Sequence, residues 1–142
     1  MSLLESHHDS KLDQSISADN PVTVSDASTS INELKAMVEK FVADRDWHKY
    51  HTPKNIAISV VLEASELLEH FQWSPPASEE IDAAKHKEIS EELCDVMAYL
   101  LSLANILNID VASSMTKKMQ KNCQKYPTHD YNGSWRKPEP LR

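Results

Sequence analysis

The chain has 142 residues, enough for one domain with a core but short for two, and it carries a formal charge of −7 and a single glycine. The charge argues against non-specific binding to nucleic acid or to an anionic membrane, since both need basic surface. The poverty of turn-forming glycine argues against a hairpin-rich sheet and for an all-α fold.

Cys94 and Cys123 fit no zinc-ligand spacing and are too few for a disulfide framework, which points to a reducing compartment. No stretch approaches the ~20 apolar residues of a membrane span. The opening "MSLLESHHDSKLDQS" has neither a basic n-region nor a long apolar h-region, so the expectation is a soluble, cytoplasmic protein.

Residues 1–29 are rich in Ser, Asp, Asn and Thr and cannot bury enough surface to offset ordering, so they are expected to form a disordered tail. A helical domain is expected over 30–127. Its first helix opens on the capping-box pattern Ser30-Ile31-Asn32-Glu33 and ends near Asp46 or Trp47. The second starts with Thr52 as N-cap and Pro53 in the first turn, runs to about Phe71, and stops before the Pro75-Pro76 linker. The third begins between Ser78 and Glu88 and continues to Leu107. Asp110 caps a fourth, which ends near Lys125 before Pro127. Residues 128–142 have no helical period and are expected to form an extended arm. Four helices joined by short connections predict a four-helix bundle.

On a wheel of ~100° per residue, the second helix carries Val60, Val61, Ala64, Leu67, Leu68 and Phe71 on one face and Ile58 and Leu62 nearly opposite. Between these two surfaces runs a strip of Ser59, Glu63, Glu66 and His70. The third helix repeats the arrangement, with Glu88, Glu91, Glu92 and Asp95 on one side, extended by Tyr99 and Ser102. A lone acidic pair on a helix is ordinarily solvated surface. Two pairs on adjacent, mostly apolar helices that pack antiparallel would face each other, and a hard divalent cation, Mg²⁺ or Mn²⁺, removes the repulsion. A di-iron centre would need Glu-x-x-His on these helices, but position 69 is Glu and His70 follows Glu66 by four. Along the fourth helix Lys118, Asn122 and Lys125 share a face with Tyr126 just beyond, suited to phosphate, although lysines near a helix C-terminus also complement its dipole. Trp47 and Trp73 flank the second helix, where a base could stack.

The motifs "RDWHKYHTPKN" (45–55), "EASELLEHFQW" (63–73), "EELCDVMAYLL" (91–101) and "KMQKNCQKYP" (118–127), in this order, resemble the all-α nucleoside triphosphate pyrophosphohydrolases of the MazG-like superfamily, and within it the dCTP pyrophosphatase branch. The resemblance implies that Glu63, Glu66, Glu92 and Asp95 are the Mg²⁺ ligands and catalytic carboxylates. It also implies that Lys118, Asn122, Lys125 and Tyr126 hold the phosphates, and that Trp47, Trp73, Tyr99, His51 and Asn55 surround the base and sugar. One departure is Leu62-Glu63-Ala64-Ser65-Glu66, where relatives commonly have a glycine-containing GExGE run. The implied activity is Mg²⁺-dependent cleavage of a nucleoside triphosphate, dCTP or a modified dCTP, to monophosphate and pyrophosphate, by a homodimer or homotetramer. Two other readings are kept beside it: a broad-specificity or dUTPase-like pyrophosphatase, and a non-catalytic helical interaction module anchored by Trp47 and Trp73.

Overall fold

The computed structural model describes residues 24–73 and 81–134. Most of the expected tail, the linker after Trp73 and residues 135–142 of the expected arm lie outside the described residues. Residues 1–30 form a unit of their own, whose described part is a turn in which the Ser25 amide donates to Ser28 Oγ (3.0 Å).

From Ile31 onward the described residues are helical: α1 (Ile31–Asp44), α2 (Pro53–Glu69), α3 (Ala83–Ile106), α4 (Val111–Lys125) and a single turn, α5 (Thr128–Tyr131). The helix starts are set by side chains that satisfy otherwise unpaired amides. Thr52 Oγ1 accepts from the Asn55 amide (3.3 Å), Asp82 Oδ1 from Lys85 (2.8 Å) and Asp110 Oδ1 from Ser113 (2.7 Å). The helix ends are made without glycine. Asp46 (φ 52°) and Asn108 (φ 51°) take the left-handed conformation there. Trp47 N–H then donates to Val42 O (3.0 Å) and Ile109 N–H to Ala104 O (2.8 Å), which closes each end as a Schellman motif. After Pro127 the chain does not stay extended as expected. Thr128 to Tyr131 complete one helical turn, and the Tyr131 ring meets Tyr126 edge-on at 5.3 Å.

α2 and α3 pack along each other, antiparallel, and α1 lies on α3. The α1–α3 contact is tied at two points, by Asn105 Nδ2 donating to Lys35 O (2.9 Å) and Lys35 Nζ donating to Ile109 O (2.9 Å). Among the described residues, Val42, Ile56, Leu101 and Ala104 are the buried apolar ones. α4 leaves α3 at a bend of 103° and contains no buried residue, so it does not close a bundle within one chain.

The orientation of α2 on α3 is the one in which the two acidic strips face each other, as expected. Ile56 is buried and Val60, Glu63, Leu67 and His70 are half-buried, whereas Val61 and Leu68 are each 64% exposed. The polar strip, rather than the broad apolar face, is turned toward α3. Ile58 and Leu62 on the other flank are exposed as well. No single helix among the described residues is long and apolar enough to cross a membrane.

Candidate functional site

The antiparallel packing of α2 on α3 brings Glu63 opposite Glu92 and Asp95. One carboxylate oxygen from each lies within 4.8 Å of the other two. Glu63 and Glu92 are half-buried and Asp95 is exposed. Burial, then the negative charges of Glu66, Asp95 and Glu92, push the Glu63 carboxyl above its usual range. Glu66 therefore acts on the cluster electrostatically, but one turn further along α2 it is exposed and stands outside the group of three.

This donor set suits a hard cation. Its three carboxylate oxygens, gathered within 4.8 Å of one another, are close enough that one cation could be held by all three. All three donors are carboxylates, with no sulfur or imidazole among them, which favours Mg²⁺ or Mn²⁺ over softer metals.

The N-terminal end of α2 holds an aromatic group. Trp47 stacks on His51 with ring centroids 6.4 Å apart and planes 30° from parallel, and Phe41 meets Trp47 edge-on at 5.7 Å. His51 Nδ1 is hydrogen-bonded to Ser102 Oγ on α3 (3.1 Å), and Ser102 is buried. Burial and the neighbouring His48 hold His51 below its usual pKa, while Glu39 opposes them. Asn55 Nδ2 donates to Tyr50 O (2.9 Å), an interaction that shapes the loop before α2. Tyr99 is half-buried on α3, one turn from Asp95 and one from Ser102.

The other expected residues are not gathered here within one chain. Trp73 lies beyond the opposite end of α2, a helix of 17 residues and so about 25 Å long, and is 86% exposed. Trp47 and Trp73 of one chain therefore do not sandwich one base. Lys118, Asn122, Lys125 and Tyr126 lie on or just after α4. Asp95 is itself about 16 Å from the end of α3 by helical rise, and α4 then turns away by 103°. On α4, Asn122 is half-buried, and the hydrogen bond to Tyr126 raises Lys125 above its usual pKa.

Two parts of the expected polar strips make pairings that were not assigned to the site. One is the Ser102 hydroxyl, a polar group in the most apolar part of α3. The other is a cluster at the far end of the strip, where Lys85 Nζ donates to His70 Nδ1 and lies 3.4 Å from Glu88 Oε2. The shallow cleft lined by Ser65, Leu68, Glu69, Phe71 and Gln72 is on the opposite side of α2 from Glu63 and takes no part in this arrangement.

The sequence profile of the MazG-like family matches residues 58–137. The chain belongs to the MazG-like family. The matched region of this MazG-like chain contains all four expected carboxylates and the α4 residues, while Trp47, His51 and Asn55 precede it. The chain is 36% identical over 108 residues to dCTP pyrophosphatase 1 of Rattus norvegicus, covering 74% of this chain and 64% of that protein. It is 32% identical over 124 residues to dCTP pyrophosphatase 1 of Bos taurus, covering 85% and 73%. The chain thus spans just under two thirds of the rat protein's length. Among solved structures, a pyrophosphatase from Archaeoglobus fulgidus DSM 4304 superposes with a TM-score of 0.63 at 41% identity, over 68% of this chain and 92% of that one.

Proposed function

We propose that this chain is a Mg²⁺-dependent nucleoside triphosphate pyrophosphohydrolase acting on dCTP or a modified dCTP and releasing the monophosphate and pyrophosphate. The observation that carries the reading is the convergence of Glu63, Glu92 and Asp95 in a chain similar to proteins named dCTP pyrophosphatase 1.

Glu63, Glu92 and Asp95 would hold the cation, Mg²⁺ or Mn²⁺, with Glu66 as a further carboxylate one turn away. Such an ion, when bound, supplies positive charge to phosphate oxygens and acidifies water. Glu63, which faces Glu92 and Asp95 across the seam, is the residue we assign to accept the proton of the attacking water. Trp47, with His51 fixed behind it by Ser102, offers a stacking surface for the base, and Tyr99 lies between that end and the carboxylates.

The phosphate contacts of Lys118, Asn122, Lys125 and Tyr126, and a base contact from Trp73, require a second copy of the chain, because α4 and the two ends of α2 keep them apart in one. Self-association as a dimer or tetramer is favoured by the apolar surface left open on α2 (Ile58, Val61, Leu62 and Leu68), on α3 (Leu93, Met97 and Leu100) and on α4 (Met115 and Met119).

Turnover of canonical and modified triphosphates, read by pyrophosphate release with and without MgCl₂, tests the assignment. Metal-dependent release from dCTP or a modified dCTP is expected, and Glu63→Gln and Asp95→Asn are expected to abolish it while preserving helicity. Retained activity in both variants, or no activity on any triphosphate, would overturn it.

A further inference from the structure

Three polar pairings cross the α2–α3 seam. His51 meets Ser102 at one end, Glu63 meets Glu92 and Asp95 in the middle, and His70 meets Lys85 and Glu88 at the other end. From Glu63 to His70, and from Glu92 back to Lys85, is seven residues along each helix, so the last pairing lies about 10 Å from the carboxylates.

The chemistry of this third pairing differs from that of a simple tether. Lys85 Nζ donates to His70 Nδ1, so the imidazole proton sits on Nε2, and the 3.9 Å approach of Nδ1 to Glu88 is not an ion pair. An ammonium has three N–H groups, and two of them are directed at His70 and Glu88. A third N–H and the His70 Nε2–H remain as donors beside a positive charge. The His70 side chain is 15% exposed, which holds its ring in place, whereas Lys85 at 36% keeps access to solvent. Lys85 is also a lysine that the chain's own fold brings to the acidic seam, while α4 carries Lys118 and Lys125 away from it.

We propose that Lys85 and His70 form an anion subsite for the terminal phosphates of the substrate, the part that departs as pyrophosphate. The proposal rests on the reading of the carboxylate cluster as the place of α–β cleavage. With the base at the Trp47–His51 end and that linkage over the carboxylates, the remaining phosphates run toward the C-terminal end of α2. The flexible four-carbon stem of Lys85 covers the distance left. Its charge offsets the repulsion that Glu66 and Glu88 would exert on those phosphates.

Product inhibition of the full chain by Mg²⁺-pyrophosphate and by dCMP, with dCTP as substrate, tests the subsite. Lys85→Gln is expected to raise the pyrophosphate inhibition constant roughly tenfold, the effect of one charge-assisted hydrogen bond, and to leave dCMP inhibition unchanged. Lys85→Arg, which keeps the charge, is expected to restore most of it. Glu88→Gln removes a competing acceptor and a nearby negative charge, and is expected to lower the same constant about threefold. A structural tether would be weakened by both neutral variants. Equal changes in pyrophosphate and dCMP inhibition, or the same direction of change in Lys85→Gln and Glu88→Gln, overturn the subsite. If Lys85→Gln does not fold, Glu88→Gln and Lys85→Arg decide it by the same signs. If the wild-type chain hydrolyses no triphosphate, the parent reading fails instead. Calorimetry of Mg²⁺-pyrophosphate with wild type and Lys85→Gln then judges the subsite alone, and equal binding rejects it.

Discussion

Replacing Glu63 by glutamine should stabilise the metal-free protein while removing its response to metal. The oxygens of Glu63, Glu92 and Asp95 lie within 4.8 Å of one another. Two unit charges at that separation repel by about 0.9 kcal/mol at the dielectric of water and about 3.5 kcal/mol at an effective value of 20. Two of the residues are half-buried and one is exposed, which places each pair near the lower figure. Glu63 takes part in two such pairs, so Glu63→Gln should stabilise the apo chain by about 2 kcal/mol, or raise Tm by roughly 6–8 °C for a domain of this size. Saturating Mg²⁺ reverses the order. At a hundredfold excess over Kd the wild type gains about 2.7 kcal/mol, and the variant, short of one ligand, gains much less. Thermal melts at fixed protein concentration, with EDTA and with MgCl₂, read both effects. If Glu63→Gln melts at or below the wild type in EDTA, or if Mg²⁺ raises both equally, the carboxylates neither repel one another nor share an ion.

The upward shift of Glu63 gives the same residue a pH signature. The folded state binds its proton more readily than the unfolded state, so apo stability falls as pH rises from the ordinary value of 4.5 through the shifted one, and Glu63→Gln should flatten that limb in denaturant titrations. His51 has the opposite sign: its lowered pKa contributes stability that is complete above the ordinary 6.5 and is lost as pH falls through the shifted value, and His51→Gln should remove this loss. Leu62→Glu places a charge on an exposed apolar flank of α2 and should shift sedimentation toward monomer. It should also lower turnover at least about tenfold while preserving the Mg²⁺-induced rise in Tm, since the carboxylates remain in one chain. Asn108→Gly should be neutral or stabilising in urea titrations, whereas Asn108→Val should cost about 1–2 kcal/mol, because φ 51° suits glycine and opposes a β-branched side chain.

Much of this architecture can be read without coordinates because it is decided locally. Thr52, Asp82 and Asp110 each sit where a short acceptor side chain meets the first free amides of a helix, and two of them were identifiable from spacing and the following residues alone. Asp82 was masked by a polar stretch in which several residues could have served. That α2 and α3 would bring acids together was legible for a different reason, while the choice of Glu92 and Asp95 among the acids of α3 came from the family resemblance. Acids three apart inside an apolar run are costly unless something meets them, and two helices carried the same anomaly. The one-turn helix at Thr128–Tyr131 gave no such signal, being too short for a period and fixed by the contact of Tyr131 with Tyr126.

The matching strips indicate which sides of α2 and α3 meet, but the sequence alone does not contain what covers the apolar flanks. A wheel fixes the angles between side chains but not the direction of the partner, and for α2 the wheel offered two apolar flanks with a polar strip between them. The fold turns the strip inward, because there Ile56, Val60 and Leu67 can pack while Ser102 and Lys85 find polar partners across the seam, at the cost of setting Glu63 against Glu92 and Asp95. Both flanks are consequently left outside, with Val61 and Leu68 on one and Ile58 and Leu62 on the other. The same choice explains why one chain assembles carboxylates but not the α4 lysines or both tryptophans. An arrangement that places polar residues along the α2–α3 seam gains less apolar burial there, and the exposed flanks are the surface from which a second copy would recover it. Assembly and activity should therefore be lost together when a flank is charged, and metal binding should survive the loss of both.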